Sequence, residues 1–268
     1  MSAAQSMAES IRRTVIEQSK RANVGHIGSS LSITDIVAAL FSGPLAGIDP
    51  RDPDRDRFVL SKGHAALALY GALHATGRIS QETLDTFCSD GSGLAGHPEH
   101  AFPDIDFSTG SLGHGLSVAS GAALAARLQG SSRRVFALLS DAECNEGSVW
   151  EAAMFAAHNR LSNLVAIVDV NGQQALGYTR DVLTLEPLAD RWRSFGWDVR
   201  EVDGHDLGAM AQALNETAHD DSRPHMLLAR TVFGKGVSFM EQRIEWHYLP
   251  LSEDEYTVAV EQLNGTAA

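Results

Sequence analysis

Asp141 and Asn171 each stand just past an apolar run, thirty residues apart. The run Val135 to Leu139 leads into Ser140-Asp141-Ala142-Glu143, a helical pattern extends from Ser148 to Arg160, and Leu164 to Val168 leads into Asp169-Val170-Asn171-Gly172. Continuous apolar runs of this kind mark strands buried on both faces, and the helix between them is long enough for the crossover of a parallel βαβ unit. Parallel neighbours share a direction, so Asp141 and Asn171 emerge at the same edge of the sheet. A carboxylate and an amide oxygen brought together there suit a hard divalent cation, and magnesium commonly binds through one or two carboxylates plus the phosphates of a ligand. The same residues have a plainer use, with Asp141 capping the helix that follows and Asn171 turning the chain with Gly172. Spacing alone leaves both open.

The elements around this unit repeat the alternation of strand and helix. Residues 5–22 carry apolar positions at helical spacing, and Ser32 or Thr34 reads as the cap of a helix that continues through Ile36-Val37-Ala38-Ala39-Leu40-Phe41. Arg51 to Arg57 is a charged turn, after which Phe58-Val59-Leu60 forms a short buried strand delivering Ser61-Lys62-Gly63-His64 to the start of a helix. Such a junction favours anions, although Lys62 is equally well read as an exposed surface charge. Further strands are expected at 197–202 and 226–232, with a turn at Asp203-Gly204-His205-Asp206, a helix from Leu207 to Ala218 and a terminal helix from Ser252. The whole is an α/β fold with a central, mostly parallel sheet and helices on both faces, read as one domain over residues 1–268.

Loops at the ends of these elements carry His26 between Gly25 and Gly28, His64, His97 in Gly96-His97-Pro98-Glu99, and His247 after Trp246. Each alone is as readily structural as chemical. Thr109-Gly110-Ser111-Leu112-Gly113 opens a helix of small residues, a phosphate-binding signal that is weak in isolation. Gly234-Lys235-Gly236 lacks the full spacing of a phosphate-binding loop.

With 268 residues, 44% hydrophobic and 21% charged, the chain can bury a substantial core. A net charge of -13 gives no electrostatic basis for gripping nucleic acid or an anionic membrane. The two cysteines, Cys88 and Cys144, form neither a disulfide framework nor a metal-ligand spacing, and no apolar leader opens the chain. A cytoplasmic, soluble protein acting on small molecules is expected.

The central stretch resembles the thiamine diphosphate motif of transketolases, a Gly-Asp-Gly followed at an interval by Asn; Asn145-Glu146-Gly147 and Glu151-Ala152-Ala153 fit as well. Both motif glycines are replaced, by Ser140 and Ala142. The histidine loops fall in family order from about residue 5 to 263. The resemblance implies the thiamine diphosphate-binding fold and assigns magnesium to Asp141, Asn171 and the backbone carbonyl of Gln173. It implies thiamine diphosphate contacts by His64, Gly110, Ser111, Leu112, Asp141, Ala142, Asn171 and His247, and catalytic or substrate-binding roles for His26, His64, His97 and His247. Glu146 matches a family glutamate at the interface between two such domains. Four further departures are Ile27 for proline, His114 for glutamine, Phe233 for a cofactor-contacting lysine that Lys235 would have to replace, and Tyr248 for glycine.

A complete transketolase also has a pyrimidine-binding domain with the glutamate that drives cofactor ionisation, so the resemblance implies the amino-terminal subunit of a split enzyme. A separate carboxy-terminal subunit would complete the site, in an expected heterotetramer with two copies of each chain, transferring a two-carbon ketol unit from a ketose or ketose phosphate to an acceptor. Three rivals remain: a pathway-specific ketol transferase with a carrier-bound or unusual acceptor, a non-catalytic scaffold of the same fold, and a zinc protein using some of the 11 histidines.

Overall fold

Val135, Ala137 and Leu139 enter one hydrophobic core while Phe136 and Leu138 enter another. They belong to strand β2 (Val135–Ser140), buried at every position, in a computed structural model that describes residues 2–217 and 222–265. Strand side chains alternate faces. A run that is apolar at every position therefore requires both faces to be covered, and here they are. β1 (Arg57–Leu60), β2, β3 (Leu164–Val170), β6 (Asp198–Asp203) and β7 (His225–Arg230) form one sheet in the order β1-β2-β3-β7-β6, all parallel. A short antiparallel hairpin, β4 (Gln173–Gln174) and β5 (Gly177–Tyr178), follows β3.

On one face lie the helices Ala3–Ala22, Thr34–Ser42, Ala66–Ala75 and Leu207–Glu216, which pack on Phe58, Leu60, Phe136, Leu138, Val165, Ile167, Leu227 and Ala229. On the other, the helices Gly115–Leu128, Gly147–His158 and Leu188–Ser194 cover Val59, Val135, Ala137, Leu139, Leu164, Ala166, Val168, Met226 and Leu228. Among the described residues no helix is long and apolar enough to cross a membrane.

The expected elements are present with shifted ends. β7 stops at Arg230 rather than 232, and the helix from Leu207 ends at Glu216; Ala218, like residues 1 and 266–268, lies outside the described residues. Neither Ser32 nor Thr34 is the cap expected of it. Ser32 closes a preceding helix, Ile27–Ser32, and gives its hydroxyl to Asp169, while Thr34 Oγ1 donates to the Ser30 carbonyl. The charged turn at 51–57 is not merely solvated: Arg55 pairs with Asp106 at 2.6 Å and Asp56 with Arg134 at 2.9 Å, tying the turn to the sheet's amino edge.

Candidate active site

The register that pairs Ser140 with Asp169 delivers Asp141 and Asn171 together at the carboxyl edge. Ala142 N donates to Asp141 Oδ1 at 2.7 Å, so Asp141 caps the short turn Ala142–Asn145 and not the helix Gly147–His158, while Asn171 makes its expected turn; Gly172 N donates to Asp141 Oδ2 at 2.8 Å. Gly172 takes φ 74, the left-handed conformation that favours glycine, which lets the chain fold back under Asp141. Asn171 and Asp141 line one cavity of about 400 Å³, and Asn171 also lines a second of about 290 Å³. Asn171 thus stands in the wall between them.

Asp141 is 2% exposed and has no cationic partner among the described residues. Burial, then the nearby Asp169, push its carboxyl up to about 7. Asp169, fully buried, is held differently. It accepts from Lys62 Nζ at 2.6 Å, from Ser32 Oγ at 2.8 Å, from Asn171 Nδ2 at 2.8 Å and from Thr231 Oγ1. Lys62, 1% exposed, is therefore not the surface charge allowed by the sequence; it is buried and paired. The Asp169 contact also fixes the Asn171 amide, whose Oδ1 accepts from Gln173 N at 2.9 Å.

A third buried carboxylate, Glu143, joins three loops. It accepts from Gly113 N at 2.8 Å, from Ser140 N at 3.3 Å and from Ser61 Oγ. Gly113, at φ 89, passes so close to Glu146 that an added Cβ would lie 2.7 Å from its Cβ. The glycine-rich turn and the Ser61–His64 loop are thereby packed together, and Thr109 Oγ1 donates to the Leu60 carbonyl at 2.6 Å.

Three of the predicted histidines converge. His26, His64 and His247 have ring centroids 5.0–5.4 Å apart in every pairing. The smaller cavity is lined by these three and by His97, Leu112, Ser140, Ala142 and Gln173. His26 takes φ 60, an uncommon conformation for a residue with a side chain, and its N–H donates to the His247 carbonyl at 3.2 Å. Burial, assisted by His97 and Lys62, lowers His26; burial and Lys62 hold His64 well below the usual imidazole range; burial and His26 push His247 down to about 4. Three neutral imidazoles therefore face one cavity near pH 7.

Gly110 abuts His97, its built Cβ 3.4 Å from the ring, whereas Ser111 is exposed and outside that lining. Lys235 does not substitute for the missing family lysine: it is partly exposed, pairs with Glu241 at 3.5 Å, and lines neither cavity. Phe233 is buried instead, stacked on His247 at 6.1 Å and 20°. Sequence reasoning passed over Asp169 and Glu143. The signal for Asp169 was a charge inside a strand buried on both faces, a position that a carboxylate occupies only when paired.

The carboxyl-edge carboxylate and the amide beside it thus line one cavity, and the four loop histidines line the next. The family description "Transketolase, thiamine diphosphate binding domain" matches residues 3–266. The chain belongs to that family. It is 41% identical to a 6-deoxy-6-sulfo-D-fructose transketolase subunit of Clostridium sp. (strain MSTE9), over 98% of this chain and 97% of the relative. It is 40% identical to one subunit of the apulose-4-phosphate transketolase of Phocaeicola vulgatus, over 96% of this chain and 92% of that one. Among solved structures, the transketolase of Campylobacter jejuni superposes with a TM-score of 0.92 at 29% identity, over 98% of this chain and 43% of that chain. The chain thus spans about two fifths of that transketolase and nearly the full length of the two subunits.

Proposed function

We propose that this chain, as one diphosphate-binding domain over residues 1–268, is the amino-terminal subunit of a magnesium- and thiamine diphosphate-dependent transketolase. It moves a two-carbon ketol unit from a ketose or ketose phosphate to an acceptor. The observation that carries this reading is the Asp141 carboxyl, buried without an ion-pair partner among the described residues on a cavity that only Asn171 separates from the one lined by His26, His64 and His247. A buried, unpaired carboxylate is costly unless a cation reaches it, and this donor set, a carboxylate with an amide oxygen and a backbone carbonyl, is what a hard cation takes. Asp141, Asn171 and the carbonyl of Gln173 would hold magnesium, and through it the diphosphate.

When bound, the cofactor supplies an electron sink for breaking the carbon–carbon bond beside the ketose carbonyl. The chain's own residues bind and orient. Leu112 and Ala142 line the cavity; Gly110 and Ser111 belong to the loop held there by Glu143. His26, His64, His97 and His247 hydrogen-bond the substrate's hydroxyls and move protons to and from its oxygens, His26, His64 and His247 entering as neutral acceptors.

A separately encoded pyrimidine-domain protein completes the site, two copies of each chain assembling in the cytoplasm. Leu176, Leu183, Tyr248 and Leu249 are all at least half exposed, and two of them belong to segments that border the cavity, an apolar rim suited to a partner. Reconstitution tests the reading. The mixed subunits with magnesium and thiamine diphosphate are expected to cleave a ketose phosphate donor, and the isolated chain is not. Full turnover by the isolated chain would overturn the split-site assignment. Absence of calorimetric cofactor binding by the mixture would favour a scaffold.

One observation favours specialisation within this chemistry. Phe233 and Tyr248 occupy the family's lysine and glycine positions, and the Tyr248 hydroxyl donates to the Ala175 carbonyl at the cavity wall. A pathway-specific acceptor is the second reading, and slow turnover with ordinary aldose phosphates is its expected signature.

A further inference from the structure

The Asp203-Gly204-His205-Asp206 turn plays no part in the site described so far. Its geometry is nevertheless tightly set. Gly204 is pressed against the end of β7, where an added Cβ would lie 2.6 Å from Thr231 Cγ2, and Gly204 N donates to the Arg230 carbonyl at 2.8 Å. His205 N donates to Asp203 Oδ1 at 2.9 Å, and Asp206 caps the next helix through Gly208 N and Ala209 N at 2.9 and 3.0 Å. The turn therefore aims the His205 ring in one direction.

Both ring nitrogens are engaged, and their partners determine where the proton sits. Val232 N–H is a donor only, and it lies 2.8 Å from His205 Nε2, so Nε2 is the acceptor. Nδ1 must then carry the hydrogen, and it faces Asp35 Oδ2 at 2.8 Å. The same carboxylate oxygen receives Arg12 Nη2 from the first helix. Although burial works against the charge, the hydrogen bond from His205 and the Arg12 guanidinium hold Asp35 below the usual carboxylate range. The chain Arg12, Asp35, His205, Val232 N thus runs from the first helix to the loop after β7.

That loop reaches the imidazole cluster. Phe233, next to Val232, stacks on His247, and a Cβ on Gly28 would lie 2.1 Å from its ring. Gly234 N donates to the Gly28 carbonyl at 3.1 Å, two residues past His26. The loop held by His205 is therefore the surface against which the segments carrying His26 and His247 are packed.

We infer that His205, locked as the neutral Nδ1–H tautomer between Asp35 and Val232, is a positioning residue that sets the His26 and His247 imidazoles through the Val232–Phe233 loop. The inference rests on the transketolase reading for the meaning of those imidazoles, and the tautomer itself does not. A histidine that accepts a backbone N–H loses that bond on protonation, so tautomer and loop position are one property.

The test has an arm for each part. Nitrogen-15 NMR of the labelled chain at pH 7 should show His205 with a proton on Nδ1 and none on Nε2, and a proton on Nε2 would overturn the inference. His205→Phe keeps a ring but neither hydrogen bond; it should shift the His247 ring resonances, and unchanged His247 resonances would overturn the positioning role. With the pyrimidine-domain partner, hydroxypyruvate as donor and glycolaldehyde as acceptor, that variant should lose about 10-fold in kcat, the scale of outer-layer hydrogen-bond losses, with little change in KM. His205→Gln, which offers both a donor and an acceptor, should restore part of kcat and of the resonance pattern, and it stands in if the phenylalanine variant fails to fold. A wild-type mixture without turnover would count against the transketolase reading alone, since both NMR arms still decide this one.

Discussion

Asp141 just past the end of β2 and Asp169 near the end of the neighbouring β3 are both buried, yet they live in opposite electrostatic conditions. Asp169 is balanced within the chain by the Lys62 ammonium and surrounded by hydroxyl and amide donors. Asp141 has two backbone N–H groups and no ion-pair partner among the described residues, and its carboxyl is pushed up to about 7. In the proposed function the difference separates a carboxylate that holds the site together from one that a ligand completes. A charge the fold neutralises is structure; a charge the fold leaves open is an invitation to a ligand.

Removing one partner of the balanced pair should have the largest effect. Lys62→Met leaves Asp169 charged and buried, and is expected to cost about 3–5 kcal/mol in denaturant unfolding. Adding Asp169→Asn should recover part of that loss, and strict additivity would break the comparison.

In the metal-free chain the open carboxylate contributes to the pH dependence of stability in the reverse sense to a salt-bridged aspartate. Unfolded, Asp141 releases its proton near 3.8; folded, it keeps it to about 7. Folded Asp141 thus holds its proton between those values, so its contribution to stability falls as pH rises through that window, against the rise that the lowered His26, His64 and His247 contribute. At 1.36 kcal/mol per unit the drop is at most on the order of 4 kcal/mol. Asp141→Asn should remove this falling component, and magnesium with thiamine diphosphate should remove it for the native chain. An unchanged slope in the variant would show that another group carries it.

For ligand affinity, Asp141→Ala in the reconstituted pair is expected to weaken magnesium-dependent cofactor binding by at least about 100-fold by calorimetry, beyond the 10–100-fold of supporting residues. The smallest effect concerns the imidazoles. Lys62 contributes to lowering His26, His64 and His247, so in Lys62→Met all three should titrate higher by NMR, with His247 moving up from about 4.

The sheet was readable because its strands are buried on both faces, which writes continuous apolar runs into the sequence, as at Val135 to Leu139. Asp141 and Asn171 were readable because a parallel crossover brings strand ends together. What sequence could not display was which distant side chains meet there. Lys62 looks like any loop lysine until Asp169, 107 residues on, is placed beside it, with Ser32 and Thr231 arriving from two other loops. The Ser32 cap failed for the same reason: its hydroxyl has a better acceptor across the molecule than at its own helix start.

Phe233 and Gly28 bind each other's future. With the ring where a Cβ on residue 28 would have to be, residue 28 is held to glycine for as long as 233 is phenylalanine. A lysine put at 233 would take the aromatic wall away from His247 and, in the same stroke, release residue 28 from glycine.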